Sequence, residues 1–239
     1  MADSRVEEIA DGIYRVSTCL PHAVGDRDLT VNQFLVLADE PLLFHTGLRA
    51  SFTETSAAVA RVLPLERLRW LSFGHVEADE CGAMNHYLAA APRMEVAFGA
   101  LGCRVSVDDL ADRLPRRLAP GEAIDLGGRR VVALPTPHAP HNAEAQVLYE
   151  ETTGALLCGD LFSQLGDGPA VTTDSLVDDA VEAEAVLSWA CPGAPVPEAL
   201  ECLADLEPRT LAVMHGSSFE GDGGGALREL AVAWRRRWG

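Results

Sequence analysis

The chain has 239 residues, of which 19 are basic and 36 acidic, giving a formal net charge of −17. This length is typical of one large α/β domain and suffices for a full hydrophobic core. The acidic excess argues against nucleic acid or an anionic membrane as a partner, because both carry dense negative charge. All 19 basic residues are arginines, which excludes chemistry that requires a lysine, such as a Schiff base or a phosphate-binding P-loop.

The sequence leads us to expect a cytoplasmic protein. Its first residues, 1–8, are acidic and lack the basic and apolar regions of a secretory signal. No apolar run approaches the ~18 residues needed to cross a bilayer. The 6 cysteines lie far apart without a Cys-x-x-Cys pair, so we expect reduced thiols rather than a zinc knuckle or disulfides.

Strands are predicted where short apolar or β-branched runs are bounded by Gly, Pro or Asp, and helices where apolar residues recur with helical spacing. In the first half of the chain, these patterns predict strands at 13–17, 31–38, 42–45, 69–73 and 94–98. They predict helices at 53–63, 80–91 and 107–113.

The second half repeats this order of strands followed by helices. Strands are predicted at 130–134, 145–149, 155–158 and 210–214, and helices at 174–190, 197–206 and 226–238. The glycine-rich stretch 221–225 is interpreted as a flexible turn, because it contains Asp222. Strands followed by helices, twice over, predict a layered α/β sandwich that forms a single domain over residues 1–239.

The segment 74–80 (GHVEADE) carries the strongest chemical signal, since it lies between a predicted strand and a predicted helix. Residues two apart in an extended loop project to the same side, so His75, Glu77 and Asp79 can converge on one point. One imidazole and two carboxylates together are typical of a metal site. The alternative is a solvated acidic start of a helix, where Asp and Glu are favoured.

Three further segments place metal-ligand residue types at predicted strand ends. His138 and His141 lie in a proline-rich loop after one strand, and Asp160 and His215 follow two others. A single histidine at a strand end is usually a structural residue. Four such segments indicate loops that build one metal site at a rim of the sandwich.

The motif order His-x-Glu-x-Asp, Thr-Pro-His, Gly-Asp and His-Gly resembles that of the metallo-β-lactamase superfamily. The glutamate at position 77 resembles, more narrowly, the di-iron domain of flavodiiron proteins and their stand-alone oxygen-binding relatives, since hydrolytic members usually have histidine there. The resemblance implies a metallo-β-lactamase-like αββα four-layer sandwich. It covers nearly the whole chain.

The resemblance also implies ligands for two metal ions, with one carboxylate, Asp160, bridging both. The ligands implied for the first ion are His75, Glu77, His138 and Asp160, and those for the second are Asp79, Asp160 and His215. No catalytic residue is expected beyond these ligands. Hard oxygen ligands mixed with imidazoles favour iron, with manganese or zinc as alternatives.

This sequence departs from the family pattern at several positions. Glu80 stands where the family has a histidine ligand of the second metal, so it either coordinates through oxygen or points away. His141 stands where an acid is more common, and two roles remain open for it: a metal ligand, or a residue that orients His138. His45 occupies the turn where the superfamily has an acid. His86 is expected to be a packed residue of a helix.

Three functions remain open from the sequence. The first is a redox or gas-binding di-iron protein that binds or reduces O2 or NO. Since no flavodoxin-like domain is recognised, its electrons would come from a separate partner protein, or it would act as an oxygen sensor. The second is a metal-dependent hydrolase of an ester or thioester, which the fold alone supports. The third is a non-catalytic module.

The resemblance implies a homodimer. Cys81 is not expected to be a nucleophile, because the neighbouring carboxylates raise its pKa.

Overall fold

The computed structural model describes residues 4–189 and 191–238. Within this part of the chain, two seven-stranded sheets face each other. The strands of the first sheet are β1 (Arg5–Ala10), β2 (Ile13–Val24), β3 (Arg27–Val36), β4 (Leu42–Phe44), β5 (Trp70–Ser72), β6 (Glu95–Gly99) and β7 (Arg116–Leu118). Those of the second are β8 (Ala123–Asp125), β9 (Arg130–Pro135), β10 (Gln146–Glu150), β11 (Ala155–Leu157), β12 (Val171–Thr172), β13 (Thr210–Ala212) and β14 (Ser218–Glu220).

Helices connect the strands and cover the outer faces of the sheets. They are α1 (Phe52–Ala60), α2 (Ala78–Cys81), α3 (Met84–Ala90), α4 (residues 100–110), α5 (Val177–Leu187), α6 (Val196–Ala204) and α7 (Gly223–Trp238). The middle of α4, Cys103–Val107, is wound as a π-helix. Single 3₁₀ turns lie at Arg49–Ser51 and Leu65–Arg67.

Both sheets are mixed. The first runs in chain order from β1 to β7, antiparallel as far as β4 and parallel from there to β7. The second has the order β12-β14-β13-β11-β10-β9-β8, in which β11 and β13 are parallel neighbours. Parallel neighbours place their carboxyl ends at the same edge, which is where loops can assemble a site.

The core has three layers because the central strands are buried on both faces. In β4, Leu42 and Phe44 point into the layer between the sheets, whereas Leu43 packs with the helices outside. The outer layer on the first sheet includes Val59 and Tyr87, from α1 and α3. Helices α5, α6 and α7 form the matching layer on the second sheet. This is the expected αββα four-layer sandwich, and the fold prediction is confirmed.

The predicted central strands are present, with small differences at their ends, but five strands were not predicted. These are β1, β7, β8, β12 and β14, and four of them lie at sheet edges. Edge strands bury little apolar surface and so leave little pattern in the sequence. The helix predicted at 174–190 is present as Val177–Leu187, and its last predicted residue lies outside the described residues.

Three predicted local structures were wrong. The helix expected at 107–113 lies earlier, at 100–110. The helix expected at 80–91 is divided at Gly82, where a Cβ would come within 3.1 Å of the backbone nitrogen of Arg49. The stretch 221–225 is not a free turn: α7 begins at Gly223, and Asp222 caps it by accepting the Gly225 N–H at 2.8 Å.

Candidate metal centre

Loops from both sheets meet at one rim of the sandwich. His75 and Glu77 follow β5 of the first sheet, whereas His141, Asp160 and His215 follow β9, β11 and β13 of the second. Backbone hydrogen bonds tie a loop of each sheet to a strand of the other: the Gln146 N–H of β10 donates to the Gly74 carbonyl at 2.8 Å, and the Asn32 N–H of β3 to the Met214 carbonyl at 3.0 Å. The rim is therefore built on the ends of buried strands, which fix its side chains.

A first group of metal-ligand atoms comes from His75, Glu77, His141 and Asp160. One atom of each lies within 4.8 Å of the others. His75 Nε2 is 2.8 Å from Glu77 Oε2, and His141 Nε2 is 3.1 Å from Asp160 Oδ2. Ligands at about 2.0–2.2 Å from one ion are separated by distances of this order. The four residues therefore fit one metal ion.

A second group lies on the other side of Asp160. His215 Nε2 is 3.3 Å from Asp79 Oδ2 and 3.4 Å from Asp160 Oδ1. Asp79 Oδ1, Asp160 Oδ1 and His215 Nε2 are buried and find no hydrogen-bond partner within residues 4–189 and 191–238. Unpaired buried polar atoms are costly, and a cation beside His215 would relieve that cost. Asp160 directs one oxygen to each group, which is the geometry of a bridging carboxylate.

Polar contacts at Nδ1 orient the imidazoles. His215 Nδ1 lies 2.7 Å from the Thr30 carbonyl, so Nδ1 carries the proton and Nε2 keeps its lone pair for the site. His75 Nδ1 lies 3.1 Å from Glu80 Oε1, while its Nε2 faces Glu77. Both rings thus present Nε2 to the cluster. Outer partners of this kind fix the tautomer of metal-bound histidines.

The electrostatics of the rim favour cations. Burial disfavours the imidazolium of His75, but Glu80, Glu77 and Asp160 outweigh it and raise its pKa to about 12. Burial is likewise outweighed at His215, where Asp160 and Asp79 raise the pKa to about 10. At Asp160, the neighbouring imidazoles of His141 and His215 outweigh burial and hold the carboxyl pKa below its usual range. The carboxylates therefore require positive charge nearby, which protons and metal ions compete to supply.

The structure brings His141, rather than His138, into the first group. His138 is partly exposed and lies in a turn with φ +62°, closed by its N–H donating to the Asn142 carbonyl at 2.8 Å. Among the described residues, its side chain is not part of the cluster. The turn reverses the chain after His138 and so carries the next histidine inward. His138, the ligand that the resemblance implied, therefore lies outside this group, and of the two roles left open for His141 the structure favours that of a donor. Spacing alone could not distinguish the two histidines.

Glu80 does not face the second group. Its carboxylate is fully buried and contacts His75 and His45. Of the two alternatives left open by the sequence, the structure shows the one in which Glu80 points away. The second group therefore has Asp79, Asp160 and His215 as its donors.

The structure also shows the surroundings of other residues near the rim. His86 contacts Phe52, with ring centroids 5.0 Å apart, but its side chain is exposed, so the expectation of a packed helix residue was wrong. Burial, followed by the charge of Glu80, raises the pKa of the Cys81 thiol to about 12, so it is a poor nucleophile. Trp189 was not predicted: its ring lies 5.3 Å from that of His141 and 5.8 Å from that of His215. It lies beside a histidine of each group, and no motif in the sequence marks it.

A fold of this kind with histidines and carboxylates at one rim defines a metallo-β-lactamase-like metalloprotein. A family model described as "ODP family beta lactamase" matches residues 29–187, and the chain belongs to this family. The structure is similar to the flavodiiron protein from Giardia intestinalis, with a TM-score of 0.82, 17% identity and coverage of 98% of this chain and 59% of that chain.

Two curated relatives have different activities in their names. A hydroxyacylglutathione hydrolase of Acidiphilium cryptum is 33% identical over 155 residues, which cover 61% of this chain and 58% of the relative. A coenzyme F420H2 oxidase of Methanothermobacter thermautotrophicus is 27% identical over 178 residues, which cover 67% of this chain and 43% of the relative. The chain thus spans about half the length of these relatives. In the part of the chain that the structure describes, no helix has the length and apolar character to cross a membrane.

Proposed function

We propose that the protein is a di-iron protein that binds or reduces O2 or NO. The observation that carries this proposal is the position of Asp160 between two groups of donor atoms, one of which contains the Glu77 carboxylate. Oxygen donors mixed with imidazole nitrogens suit iron, and each added carboxylate stabilises the more oxidised metal. The coenzyme F420H2 oxidase relative supports a redox role.

In this proposal, His75, Glu77, His141 and Asp160 hold one ion, and Asp79, Asp160 and His215 hold the other. When bound, a pair of iron ions supplies electrons and an open position for a diatomic ligand. Asp160 would hold both ions, since it directs one oxygen to each group, and the Trp189 ring lies beside a histidine of each. Reducing electrons would come from a partner protein, and an oxygen sensor would need no continuous supply.

The second candidate is a metal-dependent hydrolase of an ester or thioester. The specific observation in its favour is the hydroxyacylglutathione hydrolase relative, which is more similar in sequence than the oxidase. The same residues would then hold ions that activate water for attack. The Glu77 carboxylate argues against this candidate, because replacing a neutral imidazole with an anion lowers the Lewis acidity of the bound metal.

One experiment separates the two candidates. The protein is loaded anaerobically with Fe²⁺ or with Zn²⁺, and the iron form is mixed with O2 or NO while its spectrum is recorded. The proposal expects rapid reaction of the iron form and new near-ultraviolet charge-transfer absorption after O2. An iron form inert to both gases, together with a zinc form that hydrolyses a thioester at roughly 1 per second or faster, would replace it with the hydrolase.

A further inference from the structure

The carboxylate of Glu80 lies behind His75, on the side away from the donor groups. Glu80 Oε2 accepts the His75 backbone N–H at 2.6 Å, and Oε1 lies 3.1 Å from His75 Nδ1. We propose that Glu80 is a positioning residue, which fixes the ring and tautomer of His75 for metal binding and is not itself a ligand. This inference rests on the proposed metal site but not on its redox chemistry.

The surrounding backbone is shaped to receive this carboxylate. A Cβ at Gly74 would come within 2.9 Å of Glu80 Oε1 and 3.2 Å of the Gly159 Cα, so only glycine leaves room there. The Glu80 carbonyl accepts the Thr46 N–H at 2.7 Å, which ties the residue to the loop after β4. Glu80 is therefore held from both its backbone and its side chain.

His45 closes the far side of the carboxylate. Its Nε2 lies 3.4 Å from Glu80 Oε1, its Nδ1 lies 3.2 Å from the Asn32 carbonyl, and its ring packs 4.1 Å from that of Phe44. Both side chains are completely buried. The carboxylate thus sits between two imidazoles, and its ion pairs within the described residues are with His45 and His75, and not with His215 of the second group.

The chemistry of imidazole explains how Glu80 can affect metal binding at His75. When Nδ1 donates its proton to a carboxylate, the lone pair remains on Nε2, which here faces Glu77 and Asp160. The carboxylate also makes the imidazole a more basic ligand. Glu80 should therefore strengthen the first site and leave the number of sites unchanged.

The test is a Co²⁺ titration against a competing chelator, with the native protein, Glu80→Gln and the matched control Glu150→Gln. Glu150 is another fully buried glutamate that accepts backbone N–H groups, here those of Thr152 and Thr153, far along the second sheet. We expect Glu80→Gln to weaken the tighter Co²⁺ site roughly 10–100-fold, with two ions still bound. Glu150→Gln should leave both affinities unchanged.

Loss of the second Co²⁺ ion from Glu80→Gln, with the tighter site intact, would identify Glu80 as a ligand and overturn the inference. Unchanged binding would overturn it too. Native protein that binds no Co²⁺ would instead refute the metal site and the proposed function with it. Nitrogen NMR of the native Zn²⁺ form tests the inference without any variant that has to fold. In this form, His75 is expected to be protonated at Nδ1 and metal-bound at Nε2. The opposite tautomer would contradict the positioning role.

Discussion

The two donor groups around Asp160 differ in how many of their polar atoms have a partner within the protein. In the first, the donor atoms contact one another, and Glu77 and His141 are 44% and 18% exposed. In the second, His215 is fully buried, and one donor atom each of Asp79, Asp160 and His215 lacks a partner among the described residues. The first group thus has more direct contacts between its side chains, whereas the second leaves buried donor atoms without a hydrogen bond, which a cation would satisfy.

The largest effect is expected from the residue that both groups share. Asp160→Ala removes an oxygen from each group and leaves buried imidazoles without their carboxylate. We expect loss of both metal ions, measured by elemental analysis after loading with Fe²⁺. Asp205→Ala is the matched control, since Asp205 is an exposed surface residue paired with Arg228. Retention of two ions by Asp160→Ala would show that no bridge exists.

The next effect separates the two histidines of one loop. His141→Ala should weaken the first site by more than the roughly 10–100-fold that follows loss of an orienting residue, because a direct ligand is removed. His138→Ala in the same loop should leave this affinity nearly unchanged. Competition titration of both variants measures the difference. The reverse ranking would restore His138 as the ligand implied by the family pattern.

Asp79→Asn tests whether the two donor groups bind their ions independently of each other. The change keeps the shape of the side chain but removes the charge that faces His215. We expect weaker binding of the second ion and an unchanged first ion, because Asp79 is not part of the first group. In the native protein, the first site should be the tighter one, since it has four donor residues. Two equally tight native sites in a stepwise titration would contradict this asymmetry.

The smallest effect is expected from substitution of Thr30, which supports the His215 loop. The hydroxyl of Thr30 accepts the Gly216 N–H at 2.6 Å, and Thr30→Val leaves that buried donor unpaired. The cost should be about 1–3 kcal/mol of the free energy of unfolding, with a modest loss of affinity at the second site. Urea unfolding with Thr18→Val as control checks this, since the Thr18 hydroxyl pairs with Ser4 Oγ rather than with the His215 loop. Equal behaviour of the two variants at the second site would argue against a role for Thr30.

Sequence reasoning predicted the central strands and the strand-end loops, because both leave local patterns. Strands buried on both faces are continuous apolar runs, as in Leu42–Phe44, and the residues after them carry the histidines and carboxylates. Edge strands such as Arg116–Leu118 lack that pattern. Asp222 was interpreted as a turn residue because caps and turns use the same side chains.

The details of the rim depend on tertiary geometry that no spacing encodes. The side chain of Glu80 turns towards His75 because Gly74 leaves space for it. A sequence motif gives the order of these residues but not their contact. The choice between His138 and His141 depends on one backbone turn. Trp189 reaches the site from the end of a helix distant in sequence from every motif.

The most direct test of the carboxylate-bridged centre is a crystal structure of the iron-loaded protein with anomalous diffraction at the iron edge. We expect two iron peaks, one on each side of the Asp160 carboxylate, with His75, Glu77 and His141 around the first and Asp79 and His215 around the second. A single peak, or two peaks that do not share Asp160, would contradict the account.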